Sequence, residues 1–154
     1  MAIKTLVSSI VVALAASAPL LPAQDPAPAQ APGYAWADSC KTCHTAIYDA
    51  WAKTKHASAL DRLSPANQEK ECIGCHVTGP KTRVNDGNKK VVNRGVQCES
   101  CHGPAAAHVA DPAVKTGLVK TPPASTCEEC HNDKGPHFKG FWFDAMKSLV
   151  HRTK

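Results

Sequence analysis

Aromatic residues make up only 5% of the chain's 154 residues, so a conventional packed core would be thin. Methionine is nearly missing, with Met1 and Met146 the two present. Thioether ligation of a metal centre is therefore all but excluded. There is no dense run of one charge. The formal charge is +5, yet the positive residues are scattered and the densest cluster is the Lys89–Lys90 pair. That distribution argues against a nucleic-acid or acidic-membrane partner. Nor is any cysteine left outside one repeating pattern.

One apolar run stands at the N-terminus. Lys4 precedes "TLVSSIVVALAASAPLL", and "PAQ" follows. A basic start, an apolar middle and small residues before a cut near Ala23 predict a signal peptide over 1–23. At about 17 residues, with Ser and Pro inside, the run is marginal for crossing a bilayer. No cysteine lies near the cut, which argues against a lipid-anchored form, and no stable membrane anchor is expected after cleavage. The mature chain is expected to be periplasmic or otherwise exported, where disulfides are permitted. "PAQDPAPAQAP" cannot pack and predicts a flexible leader over 24–33. The folded domain is expected over 34–154.

Eight cysteines need an explanation in a chain this short. They form "CKTCH" (Cys40, Cys43), "CIGCH" (Cys72, Cys75), "CESCH" (Cys98, Cys101) and "CEECH" (Cys127, Cys130). C-x-x-C-H is the attachment motif of c-type haem. Two thiols reach the two vinyl groups on one porphyrin edge. The histidine that follows lies under the iron as its proximal ligand. A disulfide framework does not require histidine after every second cysteine. Zinc needs fewer ligands than four such pairs supply, and a redox dithiol would be single. Four haem c groups are therefore expected. Each ferric haem carries a charge of about −1, so four would bring the chain to roughly +1. They leave about 30 residues per haem, so the porphyrins form the core and the apoprotein is not expected to fold stably.

Four histidines are proximal by motif: His44, His76, His102 and His131. His56, His108, His137 and His151 remain for four irons, so most sixth ligands are expected to be histidine and potentials to be low. Ligands on opposite faces of one iron sit about 4 Å apart, and the chain must still round the porphyrin rim. His108 follows His102 by six residues in "GPAAAHV", which reads as a helix start with Pro at its first position. Such a segment advances about 9 Å, so His108 belongs to another haem. "TAIYDAWAKTKHASALDRL" predicts a helix carrying His56 about 18 Å from His44, so His56 also belongs elsewhere. A turn at "DKGP" and a last helix, "FDAMKSLVHR", would bring His151 back over the haem of His131.

"YAWADSCKTCH", "AIYDAWAKTKHASA", "GVQCESCHGPAAAH" and "FWFDAMKSLVH" together resemble the cytochrome c-554 family of tetrahaem cytochromes. The resemblance runs from about Tyr34 to His151. It implies that His56 pairs with His102, His108 with His44 and His151 with His131, and that the second haem, on His76, is five-coordinate. It implies a soluble periplasmic carrier, which in that family takes electrons from hydroxylamine oxidoreductase. The chain departs from the family in its compact loops, "VTGPKTRVNDGNKKVVNR" and "VADPAVKTGLVKTPPAS", and in His137. That residue is read as lying at the surface or behind the ligands, with capping of the second haem as the alternative.

The expected fold is mainly α with long irregular loops, a small multihaem cytochrome c fold packed around four haems. Trp36, Trp51, Phe138, Phe141, Trp142 and Phe143 are expected to pack against the porphyrins. Ser64–Pro65 predicts a short helix leading to Cys72, and "NDGN" a turn or small hairpin. The expected function is electron transfer between a redox protein donor and acceptor. A haem enzyme acting on a small nitrogen oxide or peroxide at the second site is the alternative. A subunit-bridging wire of surface haems has no support beyond haem density.

Overall fold

The computed structural model describes residues 33–69 and 71–152. The expected signal peptide and all but the last residue of the leader lie outside the described residues. Within them no helix is long and apolar enough to cross a membrane.

The architecture is mainly helical and carries no sheet among the described residues. Six short α-helices follow in order: α1 (Trp36–Lys41), α2 (Thr45–Trp51), α3 (Cys98–His102), α4 (Ala106–Ala110), α5 (Ala124–Glu128) and α6 (Phe143–Met146). Single 3-10 turns lie at Leu60–Arg62, Pro65–Asn67 and Lys147–Leu149, and a longer one at Glu71–Cys75. Helices of four to seven residues are not stable alone. Bonds between distant parts of the chain must hold them.

The apolar contribution is small. Leu60, Ile73 and Val77 form one buried cluster, with Leu63 and Val91 packed on it. A polar lattice does the remaining work. Asn93 and Thr78 are wholly buried. Asn93 Nδ2 donates to the carbonyls of Thr78, Pro80 and Thr82, and its Oδ1 accepts from Val84 N. Thr78 Oγ1 donates to Gly95 O and accepts from Gln97 N. Gln97 Oε1 accepts from Ala37 N at 2.7 Å, tying α1 to this lattice. No buried side-chain nitrogen or oxygen lacks a partner among the described residues. Complete pairing makes such a lattice specific, because each missing bond would cost about 1–3 kcal/mol.

The loop between the second and third motifs folds back on itself. Isolated antiparallel bridges join Val77 to Arg94 and Asn85 to Val91. Asp86 Oδ1 accepts from Asn88 N and Lys90 N at the tip, so the expected hairpin exists in minimal form.

The long helix expected through His56 is shorter. Helix α2 stops at Trp51, and turns follow. Thr54 Oγ1 donates to Trp51 O at 2.7 Å, taking a carbonyl the helix would have used. The Trp51 indole donates to Val96 O, and Val96 N donates to His56 O at 2.9 Å. Residues 95–96 thereby bend the chain away from the helix axis. Gly95 permits this approach. It has φ +80°, and a Cβ there would lie 2.4 Å from Ala57 O. The expected last helix is likewise split, one α turn in α6 followed by 3-10 at Lys147–Leu149.

Candidate metal centres

Each C-x-x-C-H motif is one turn of helix. His44 N donates to Cys40 O and His131 N to Cys127 O, both at 2.9 Å. The second motif is tighter, with His76 N on Ile73 O. One turn sets residues three apart on a common face. Two thiols therefore share an edge, and the histidine follows beneath. No disulfide joins any two of the eight cysteines.

Cysteines of different motifs influence one another. Cys98 pushes Cys40 up and Cys40 pulls Cys98 down, with burial opposing at Cys98. Burial raises Cys101 to about 11, and Cys127 adds to that rise. Burial and then Cys75 raise Cys130 to about 12. The first motif adjoins the third, whose Glu99 accepts from the amides that open α1. Cys75 and Cys130 line one cavity between the second and fourth.

The imidazoles face one another in pairs. His44 and His108 lie with ring centroids 6.5 Å apart at 21°. His102 and His151 are 6.2 Å apart at 27°. His56 and His131 are 5.9 Å apart at 64°. Two metal–nitrogen bonds of about 2 Å each, plus half of each ring, span about this distance. No three His, Cys, Asp or Glu side chains converge on a common point among the described residues. That is the wrong arrangement for zinc, whereas each imidazole pair could hold one iron and the paired thiols could bind the porphyrin that carries it. The residues fit haem c.

Tautomers agree with ligation. Nδ1 of His76 lies 2.6 Å from Ala59 O, Nδ1 of His102 2.7 Å from Val119 O, and Nδ1 of His108 3.0 Å from Val114 O. A carbonyl can only accept, so each Nδ1 carries the proton and Nε2 is left bare for a metal. Burial, then the neighbouring His131, holds His56 below the ordinary imidazole value, which favours the neutral, ligating form. No sequence signal marks these carbonyls, because a backbone oxygen carries no residue identity.

The pairing of His108 with His44 is as the resemblance implied. Two others are exchanged: His56 faces His131 rather than His102, and His151 faces His102 rather than His131. The early end of α2 and the Val96–His56 bond redirect His56. Beyond the fourth motif, Phe141 stacks on the His131 ring at 4.8 Å, and the chain continues past its own motif to place His151 at the third. His76 has no facing imidazole among the described residues. His137 is exposed and is not paired with it. A cavity of about 670 Å³ adjoins the second motif, lined by Glu69, Glu71, Ile73, Lys81 and Glu129 together with Gly74, Cys75 and Cys130.

Of the aromatic residues, Trp36 and Trp51 are buried, whereas Trp142 is 64% exposed. Glu99, inside the third motif, is 4% exposed, and sequence reasoning gave it no role.

Residues 39–103 match the family model described as cytochrome c554 and c-prime. Cytochrome c-554 of Nitrosomonas europaea is 36% identical over 84 residues, covering 42% of this chain and 36% of that protein. The matched stretch thus spans about a third of that relative's length. The solved structure of the reduced state of cytochrome c554 from Nitrosomonas europaea aligns with a TM-score of 0.58 at 24% identity, over 77% of this chain and 83% of that one. That likeness shows the fold.

Proposed function

We propose, from the match of residues 39–103 to the cytochrome c554 and c-prime model, that this chain is a cytochrome c-554-type protein, an exported electron-transfer protein holding four c-type haems. The partners are a redox protein donor and acceptor; the scattered positive charge offers nucleic acid no docking surface. When bound, haem c supplies a one-electron Fe(III)/Fe(II) couple.

The chain's own residues do the rest. Cys40 and Cys43, Cys72 and Cys75, Cys98 and Cys101, and Cys127 and Cys130 would form the thioethers. His44 with His108, His102 with His151, and His131 with His56 would hold three irons from both faces. His76 would hold the fourth from one face. Ala59, Val119 and Val114 carbonyls fix the ring orientation of His76, His102 and His108, so little rearranges when charge changes. Two-sided imidazole ligation without methionine supports low potentials.

The observation that carries this reading is the set of three facing imidazole pairs set beside four attachment turns. The test is EPR of the ferric holoprotein, with haem counted by mass. Four haems are expected, three low-spin and one giving a high-spin signal near g of about 6. Fewer than four attached haems would sink the reading. A wholly low-spin spectrum would instead show the His76 site capped, with His137 the available histidine.

The second reading, chemistry on a small nitrogen oxide or peroxide at the His76 site, is favoured by one observation. No imidazole faces His76 among the described residues, and the adjoining cavity bears Lys81 and three carboxylates. Turnover of such a molecule by the holoprotein, lost when Lys81 is replaced, would establish it.

A further inference from the structure

Glu99 is a carboxylate in the middle of the third motif, buried to 4% exposure. Its Oε1 accepts from Ala35 N at 2.9 Å and from Ala105 N at 2.7 Å. Its Oε2 accepts from Trp36 N at 2.8 Å. No lysine, arginine or histidine pairs with it among the described residues. The charge is held by backbone dipoles alone.

Those three amides are not arbitrary. Ala35 and Trp36 begin α1, which carries Cys40. Ala105 precedes α4, which carries His108. Glu99 itself lies in α3 between Cys98 and Cys101. One side chain thus joins the attachment turn of the first site, the facing ligand of the first site and the attachment turn of the third. Trp36 is held at φ +65°, a conformation side-chain-bearing residues seldom adopt, at the point where its amide meets Oε2.

Glutamine could keep the Oε1 bonds but would turn an N–H toward Trp36 N, donor against donor, whereas the carboxylate accepts at both oxygens. Burying an ionised carboxylate without a cation is expensive, and whatever charge it carries acts on the groups around it. We propose that Glu99 is a buried carboxylate shared by the first and third haem sites, holding both in register and drawing both toward lower reduction potential. A fixed anion favours Fe(III) over Fe(II) at whichever iron it lies near, and in a dry, water-excluded spot it is weakly screened. This role rests on the tetrahaem reading above.

The test uses the mature holoprotein and potentiometry. Glu99→Gln keeps the Oε1 bonds and removes the charge. With four haems attached and the wild-type EPR spectrum retained, two of the four potentials are expected to rise and two to stay. Gln97→Ala is the comparison, because it loosens α1 without touching the charge; it should lower thermal stability and leave all four potentials in place. Four unmoved potentials in Glu99→Gln, or four moved equally, would overturn the assignment. If Glu99→Gln yields no four-haem protein, Glu99→Asp decides. It keeps the charge and shortens the reach, so maturation with wild-type potentials supports a need for charge, and equal failure shows a strut alone. Haem count by mass tests the tetrahaem reading separately, since wild-type protein with fewer haems would fail that reading and not this one.

Discussion

His102 and His151 face each other with ring centroids 6.2 Å apart and planes 27° apart, although one belongs to the third attachment turn and the other lies almost at the C-terminus. A histidine from beyond the fourth motif is therefore brought back to the third. In the holoprotein, His151→Ala should convert one haem from low to high spin, and that haem should be the one on His102. A crystal structure of the variant shows directly which iron lost its ligand. Loss at the His131 iron would restore the uncrossed arrangement and refute the geometry described above.

Gly95 offers a second check on the same crossing. Its φ of +80° is unfavourable for any other residue, and a Cβ would meet Ala57 O at 2.4 Å and His56 O at 2.8 Å. Gly95→Ala should cost about 2–4 kcal/mol in guanidinium unfolding. The push falls on the backbone of His56. Partial high-spin character is therefore expected at the His131 iron, with the His44 iron unaffected.

Tyr48 gives a pH dependence. Its hydroxyl donates to Asp38 Oδ1 at 2.8 Å, and that bond, then partial burial, pushes its pKa up to about 12. The folded value lies above the unfolded value of about 10. The bond's contribution to stability is therefore complete below about pH 10 and is lost as pH rises through about 12. Thermal denaturation of the wild type should fall away across that window more steeply than that of Tyr48→Phe, and ¹³C NMR of the tyrosine ring should show the late deprotonation. Equal alkaline profiles would mean the Asp38 bond is not made in solution.

The four C-x-x-C-H turns were legible from residue names, because the motif carries its own spacing: Cys40 to His44 reads the same wherever the chain goes. Eight histidines could be counted, but which of them face one another could not. Helical character was legible in "AIYDAW" but its end was not. Thr54, Val96 and Gly95 stop α2 through contacts between segments that no local pattern announces. The exchange of His56 and His151 followed from that missed end and from the path after Phe141. The polar lattice was invisible for a further reason. Asn93 binds four backbone groups, and nothing in "VVNRGV" distinguishes an asparagine in a turn from one at the centre of the molecule.

The first motif lies beside the third, and the second beside the fourth. Order along the chain and order in space disagree. The stretch from the first motif to the second carries His56, which faces His131 of the fourth motif, and Ala59, whose carbonyl orients His76. A residue inserted ahead of His56 therefore reaches a site three motifs along the chain, and touches the next motif in sequence only through the Ala59 contact. That consequence is invisible to anyone counting motifs from the N-terminus.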